Sequence, residues 1–386
     1  MSHSNTIFHQ LLKFLPHSCF QKTVDRYNGD YRRRKLSCWD QLLAMLFCQL
    51  CGRQSLRDIV EGFNSQHRHL YHLGSRKVHR STLADANNKT PTGIFKEAFY
   101  YLLGQVRTGL PSKTSKEMIR LIDSTTIDLN LNQFEWAKFR SSKSGIKLHT
   151  VYDPESELPV YFEMTSAKTS DSKAVKNLPI LPKATYVVDR AYNTYSWFYS
   201  LTQQKSFFVG RMKCNARYEV KETRETDSPQ VISDEVISFC APKAQKDCPI
   251  PLRRIVFLRE EDKKTLVFIS NDFGRSAQEI ADLYKQRWQI ELFFKWIKQN
   301  LKIKRFVGRS ENAVMIQVLV ALISYVLLRL AQTSYPSSFS LQQIARLMAV
   351  NLMNRKTMEE LLKPDRGKEN DDEKTCPQME IKLGYF

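Results

Sequence analysis

Residues 276–298 form the segment that most restricts what this chain can fold into. Ser276, followed three residues later by Glu279, is typical of a capping box and predicts that a helix begins here. At about 100° per residue, four polar side chains then fall on one narrow stripe of that helix. The stripe carries a phenol, a guanidinium, a carboxylate and an ammonium, from Tyr284, Arg287, Glu291 and Lys298. Such a stripe suits a site that holds a metal and grips phosphates, but an ordinary amphipathic helix with an i,i+4 ion pair also explains it.

The charge balance favours a polyanionic partner. The chain has 59 Lys and Arg residues against 40 Asp and Glu residues, a formal net charge of +19. A surplus of that size favours association with a polyanion, and nucleic acid is the commonest one. Net charge speaks to association and not to chemistry, so the reaction has to be inferred from individual residues. The 386 residues leave room for two or three domains and a sizeable core.

The cysteines and the apolar segments indicate a cytoplasmic protein. Eight cysteines are scattered without the spacing of a disulfide framework and no signal peptide opens the sequence, so we expect reduced thiols. One apolar run, residues 313–331, is long enough to cross a bilayer. It contains Gln317, Ser324 and Arg329, and an arginine there would be costly in lipid. We therefore expect a core helix and no membrane partner.

Changes in composition divide the chain into five parts. Residues 1–112 are rich in Leu, Phe, His and Arg with few β-branched runs, which predicts a helical N-terminal DNA-binding domain. Residues 113–212 contain short β-rich segments, and residues 213–274 alternate apolar and charged side chains. We predict an α/β protein whose mixed sheet is built from 113–212 and 275–332, with a β-rich insertion at 213–274 before the glutamate helix. Residues 333–386 are expected to form a helical and disordered tail.

The N-terminal region contains a candidate DNA-binding motif. Residues 39–51 form an apolar periodic run that ends at Gly52, and Ser55 begins a second predicted helix that extends to Phe63. This order resembles a helix-turn-helix, and four basic residues at 32–35 lie just upstream. A plain helical hairpin explains the pattern equally well, so both interpretations stay open.

Two aspartates follow predicted strands. Asp123 ends the apolar strand at 118–122, and Asp189 ends the strand at 186–188. An apolar strand that ends in Asp places the carboxylate at the carboxyl edge of a sheet, where open α/β sheets have their sites, although a single Asp more often caps a turn. Joined by Glu291, these acids would repel one another unless cations were bound. Oxygen ligands with that much charge suit Mg²⁺ or Mn²⁺, and two such ions support in-line phosphodiester displacement.

These motifs resemble those of bacterial insertion-sequence transposases of the DDE class. Four side chains match the Y-x2-R-x3-E-x6-K signature of one subgroup, namely Tyr284, Arg287, Glu291 and Lys298. The sequences around Asp123 and Asp189 are similar to the two aspartate motifs of that family, and residues 145–149 and 165–171 resemble its second and third strands. The resemblance covers residues 118–332, including the β-rich insertion.

The resemblance implies an RNase H-like fold and metal-dependent chemistry on double-stranded DNA. The implied catalytic and metal-binding residues are Asp123, Asp189 and Glu291, with Mg²⁺ or Mn²⁺ as the cofactor. The residues implied to contact DNA near the cleaved end are Tyr284, Arg287 and Lys298. Members of the family cut the terminal inverted repeats of their own element and join the freed 3′ ends to target DNA, working as dimers. We therefore expect a nucleoid-associated homodimer in the bacterial cytoplasm.

Four further side chains are candidates for DNA contacts. Lys147 and His149 lie on a predicted strand beside the expected site, Arg190 directly follows an active-site acid, and Trp288 lies within the signature. For each of them a solvated or packed position is the alternative.

Two rival functions stay open. One is a nuclease on the same core that lacks strand transfer, and the other is a DNA-binding protein derived from a transposase without catalysis. The intact triad argues against the second, because a pure binder gains nothing from three clustered carboxylates.

Overall fold

The computed structural model describes residues 5–363 except for 110–117, 142, 227 and 336, so the part of the predicted tail beyond 363 lies outside the described residues. The helices are α1 (Ile7–Leu12), α2 (His17–Arg26), α3 (Cys38–Leu50), α4 (Leu56–Ser65), α5 (His67–Leu70), α6 (Arg80–Lys89), α7 (Thr92–Gly109), α8 (Asp171–Ala174), α9 (Tyr195–Gln203), α10 (Pro242–Asp247), α11 (Ala277–Gln286), α12 (Trp288–Asn300), α13 (Glu311–Ser334), α14 (Leu341–Asn351) and α15 (Met358–Leu362). The strands are β1 (Met118–Leu129), β2 (Lys138–Arg140), β3 (Lys143–Asp153), β4 (Leu158–Ser166), β5 (Ala184–Val188), β6 (Phe207–Arg211), β7 (Tyr218–Arg224), β8 (Val231–Phe239), β9 (Leu252–Arg259) and β10 (Lys264–Ser270).

The strands form one mixed sheet that confirms the predicted α/β class. Its order is β2-β3-β1-β5-β6-β10-β9-β8-β7, and β4 also pairs with β3. Strands β4, β3 and β1 are antiparallel neighbours, whereas β5 and β6 continue from β1 in parallel. Three antiparallel strands followed by two parallel ones make the RNase H-like arrangement that the sequence predicted.

The strand that carries Asp123 is longer than predicted. We expected it to end at Asp123, but β1 continues to Leu129 and pairs with β3 over that whole length. Its second half buries Ile127 and Leu129 on alternate positions, which is the pattern of a half-buried strand. Asp123 therefore lies within β1, while Asp189 follows the end of β5 as predicted.

The β-rich insertion extends the central sheet. Strand β10 pairs antiparallel with β6, and β9, β8 and β7 follow outward. Arg253 on β9 is buried and forms a salt bridge with buried Asp234 on β8 at 2.5 Å. The same guanidinium donates to the backbone carbonyls of Asp272 and Arg275, just before α11. The insertion is thereby fixed to the segment that leads into the predicted functional helix.

The helix predicted over 276–298 is two helices. Ser276 and Glu279 form the predicted capping box at the start of α11, but the regular helix is interrupted at Arg287. There the Arg287 N–H bonds to the carbonyl of Tyr284, and the Ile290 N–H bonds to the carbonyl of Arg287. These three-residue bonds tighten the chain into a 3₁₀-like turn between α11 and α12.

The apolar run at 313–331 forms the central helix of the protein, as the sequence predicted. Glu311–Ser334 is long and apolar enough to cross a membrane, but 89% of its most apolar window is buried inside the protein, against α3 and α7 among other elements. Three of its polar side chains have bonding partners. Gln317 bonds to the loop after α12, Ser324 bonds within its own helix, and Arg329 forms an ion pair with Glu157.

The N-terminal helices share one apolar core with α13. All thirteen residues of α3 are buried, and Gly52 after its end has a positive φ of 68°. Ser55 caps α4 as predicted by accepting a bond from the Asp58 N–H. Because α3 is enclosed by its neighbours, the α3–α4 pair favours the plain hairpin interpretation over a freestanding helix-turn-helix.

Candidate active site

Asp123 and Asp189 lie side by side at neighbouring positions of the sheet. Ile122 of β1 pairs with Val188 of β5, and the residue that follows each of them is an aspartate. Side chains two residues apart share a face of a strand. Leu121 and Val187 each lie two residues before an aspartate. Both pack in the same apolar cluster as Ile290 of α12. Both aspartates therefore face the helix that carries Glu291.

Two side chains of the signature contact the acids. The Nη1 atom of Arg287 lies 2.7 Å from Oε1 of Glu291 and 3.8 Å from Oδ2 of Asp123. The hydroxyl of Tyr284 donates a hydrogen bond of 3.2 Å to Oδ1 of Asp189. The tight turn between α11 and α12 brings both signature residues to the acids. Long-range folding thus brings Asp123 and Glu291 to one guanidinium and Asp189 to the Tyr284 hydroxyl.

Burial and mutual repulsion perturb the site electrostatically. The pKa of Asp123 is raised to about 6, chiefly by burial and to a smaller extent by the charges of Asp189 and Glu291, while the Ser124 N–H and Arg287 oppose the rise. Burial also raises the pKa of Tyr284 to about 12, so its phenol remains a neutral donor.

The chemistry of the donor set fits a hard divalent cation. The site offers only carboxylate oxygens, which are the ligands that Mg²⁺ and Mn²⁺ prefer. Among the residues that the structure describes, no three His, Cys, Asp or Glu side chains are close enough to form a ready-made metal site. Arg287 instead supplies the compensating positive charge. A cation held by Asp123, Asp189 and Glu291 would therefore replace that guanidinium.

Lys298 lies away from the acids, further along β1. Its Nζ atom donates a 2.8 Å hydrogen bond to the carbonyl of Thr126, and burial lowers its pKa. Thr126 is three residues beyond Asp123, about 10 Å along an extended strand. The four signature residues are therefore spread along the sheet, and Arg287 and Lys298 contact different parts of β1.

Lys147 and His149 lie on the opposite face of the sheet from Asp123. His149 pairs in register with Ser124, the residue after Asp123, so it points the other way. Lys147 forms a salt bridge with Asp171 at 3.3 Å. His149 is fully buried, its Nε2 atom lies 3.0 Å from the Thr165 hydroxyl, and burial lowers its pKa to about 4. As placed, His149 has no surface for the predicted DNA contact.

A polar network under the site was missed by sequence reasoning. Asp171 begins α8, and its carboxylate accepts a 2.7 Å bond from the Ser124 hydroxyl and lies 3.5 Å from Nδ1 of His149. The backbone N–H of Ser124 meanwhile donates to the carboxylate of Asp123 at 2.8 Å. The network therefore holds the part of β1 that carries Asp123 in place. The alternation of side chains along β1 was the signal that could have revealed it.

Arg190 and Trp288 are both exposed, as a DNA contact requires. Arg190 opens a single 3₁₀ turn directly after Asp189, and Trp288 is 59% exposed at the start of α12. Trp288 also lines a cleft of about 810 Å³ between the insertion and the α11–α12 turn. Tyr284 and Arg287 line the same cleft, so it opens beside the acids.

Two parts of the chain match known domain families. Residues 114–327 match the transposase DDE domain, which covers the sheet and both helices of the site. Residues 3–76 match a domain of unknown function, DUF4372.

Several proteins named as transposases are similar in sequence. The protein y4zB of Sinorhizobium fredii is 36% identical over 78% of this chain and 85% of its own length. The protein for insertion sequence element IS5377 of Geobacillus stearothermophilus is 32% identical over 66% of this chain and 68% of its own. Among solved structures, a piggyBac transposase synaptic complex with hairpin DNA aligns with a TM-score of 0.47 and 13% identity, over 90% of this chain and 80% of that one. The domain match and the first of these relatives show that this chain belongs to the bacterial insertion-sequence transposases of the DDE class, enzymes that act on DNA.

Proposed function

We propose that this transposase cleaves DNA at the ends of its own element and joins the freed 3′ ends to target DNA, in a reaction that requires Mg²⁺ or Mn²⁺. The observation that carries the proposal is the position of three acids: Asp123 and Asp189 follow the paired residues Ile122 and Val188, and the guanidinium of Arg287 lies between Asp123 and Glu291. Three partly buried carboxylates are costly unless a cation compensates them, so their clustering supports metal-dependent phosphodiester chemistry.

Each residue of the proposed site has a distinct role. Asp123, Asp189 and Glu291 would hold the divalent cations, whose bound form supplies charge neutralisation and activates a water or a 3′-hydroxyl for in-line attack. Arg287 would move from the acids to a DNA phosphate, which a guanidinium binds bidentately. Tyr284 would donate its hydroxyl to DNA instead of to Asp189.

Further contacts would orient the DNA. Lys298 would place a point charge beyond the acids, and exposed Arg190 and Trp288 would contact the backbone and the bases. Lys147 is salt-bridged on the other face, so its role is to support Asp171 and not to bind DNA. We also propose the five domain divisions predicted from composition. The active form would be a nucleoid-associated homodimer that bridges two element ends.

A strand-transfer assay tests the proposal. The purified protein is incubated with a duplex that carries the element's terminal repeat, already cut to leave a 3′-hydroxyl, and with supercoiled plasmid in Mg²⁺ or Mn²⁺. We expect a covalently joined product. The same duplex with a 3′-dideoxy end lacks the nucleophile and should give none.

The outcomes separate the rival functions. Cutting of an uncut terminal repeat without any joined product would indicate a nuclease. Duplex binding with neither activity in either metal would indicate a DNA-binding protein derived from a transposase. Joined product that persists in EDTA would contradict the metal requirement.

A further inference from the structure

A basic groove lies between the far end of β1 and the N-terminal helices. It has a volume of about 410 Å³, and we call it the β1 groove. Its lining comes from three places: the start of α4, the end of β1 with the turn that follows, and the loop between α12 and α13. The loop contributes three cations to the lining, namely Lys304, Arg305 and Arg309.

The charge of the β1 groove suits an anionic ligand. Lys304, Arg305 and Arg309 are all exposed, and the acidic side chain in the lining is Asp128, which is also exposed. The groove therefore has a surplus of positive charge at its surface. The start of α4 at Leu56 adds backbone N–H groups of a helix N-terminus, which favour negative charge.

The groove continues the line of cations that begins at the acids. Arg287 lies at the level of Asp123, Lys298 binds the carbonyl of Thr126, and Asp128 lines the groove. Burial lowers the pKa of Lys298, and the charge of Lys304 lowers it further. Five residues of strand from Asp123 to Asp128 span about 17 Å, which equals about five base pairs of duplex DNA at about 3.4 Å each.

The loop that carries the cations is held in a fixed shape. Buried Gln317 on α13 donates to the carbonyls of Lys302 and Arg305 and accepts from the N–H of Val307. Buried Gln49 on α3 accepts from the Lys302 N–H. A rigid, positively charged loop loses little conformational entropy when it binds a ligand.

We propose that the β1 groove seats the phosphate backbone of the element-side duplex about five base pairs from the cleaved bond. The inference rests on the proposed function and adds to it the path of the DNA. Because the groove joins α4 to the catalytic sheet, it also gives the N-terminal domain a direct share in holding the cleaved end.

The salt dependence of binding tests the groove as a phosphate site. The triple variant Lys304→Gln, Arg305→Gln, Arg309→Gln is compared with the wild-type chain for binding to a duplex of about 30 base pairs. Each lost phosphate contact lowers the slope of log K against log salt by about 0.9, so we expect a decrease of about 2 to 3. The control pair Lys243→Gln, Lys246→Gln removes exposed charges from α10 and should leave the slope unchanged.

Shortening the DNA tests the proposed position. Precleaved terminal-repeat duplexes of about 4, 8 and 16 base pairs are bound to the wild-type chain and to Arg309→Gln, a single exposed change that serves if the triple variant unfolds. Weaker binding of the variant should appear only with the two longer duplexes. An equal loss at all three lengths, or no loss at any, would overturn the inference while leaving the proposed function intact. A wild-type chain that binds no duplex would overturn both.

Discussion

The guanidinium of Arg287 forms a 2.7 Å salt bridge with the carboxylate of Glu291, one helical turn away across the break between α11 and α12. The same guanidinium lies 3.8 Å from Asp123. One cationic side chain thus occupies the centre of the site in which the divalent cations are proposed to bind. Arg287 would therefore serve two partners in turn, the acids before the metal binds and DNA afterwards.

Replacing Arg287 should lower the stability of the metal-free protein and make its melting temperature respond more strongly to a divalent cation. Arg287→Ala leaves Asp123 and Glu291 without their counter-charge, which should lower the free energy of unfolding by about 1 kcal/mol in EDTA. Mn²⁺ should then raise the melting temperature of the variant more than that of the wild type, measured by differential scanning calorimetry. The double variant Arg287→Ala, Glu291→Gln should lose the additional rise. An identical Mn²⁺ response in all three proteins would contradict this role.

Each acid of the triad should be required for chemistry. Asp123→Asn, Asp189→Asn and Glu291→Gln should each reduce terminal-repeat cleavage by at least about 100-fold, because each removes a charged ligand of the proposed cations. Duplex binding, measured by fluorescence anisotropy, should survive in all three. Glu222→Gln changes an exposed acid on β7, outside the proposed site and the β1 groove, and should cleave normally. Normal cleavage by Glu291→Gln would remove the glutamate from the mechanism.

The raised pKa of Asp123 predicts a pH-dependent gain in stability on its replacement. The folded pKa of about 6 lies above the ordinary value of 3.8, so between these values the folded protein binds more protons and its stability falls as the pH rises. Asp123→Asn removes this penalty. In EDTA, the free energy of unfolding of Asp123→Asn minus that of the wild type should increase by up to about 3 kcal/mol between about pH 4 and about pH 6. Above about pH 6 this difference should stay constant. A pH-independent difference in urea unfolding would contradict the prediction.

Gln317 should be essential for the loop between α12 and α13. Its side chain makes three hydrogen bonds to backbone groups of that loop, at 2.5 to 2.9 Å. Gln317→Leu leaves these groups unpaired and should cost about 3 kcal/mol, while trypsin cleaves the loop faster. Ser324→Ala removes a bond within α13 only and should change stability by less than about 1 kcal/mol. Unchanged proteolysis of Gln317→Leu would show that the loop holds its shape without the glutamine.

The insertion should depend on its buried ion pair. Arg253 and Asp234 are each 2% exposed, so Arg253→Met leaves a buried carboxylate without a partner and should cost about 3 to 5 kcal/mol in urea unfolding. Glu219→Gln breaks the exposed pair with Lys221 on β7 and should cost less than about 1 kcal/mol. Equal effects of the two changes would mean that burial of the Arg253 pair is not what stabilises the insertion.

Local patterns in the sequence were sufficient to predict several helices and strands. The Ser276–Glu279 capping box, the β-branched strands and the apolar run of α13 each depend on residues a few positions apart, and the structure has all three. The RNase H-like fold was implied by the family resemblance, whereas the order of the strands in the sheet came from the structure.

Only the tertiary structure decided the features that depend on residues far apart in the sequence. Strand β1 extends past Asp123 because β3 pairs with its second half, and the pairing of Ser124 with His149 determines that His149 is buried on the far face. The helix breaks at Arg287, where the chain turns its cation toward the acids. Sequence periodicity reports on neighbours along the chain, whereas burial, pKa and charge pairing depend on residues that long-range folding brings together.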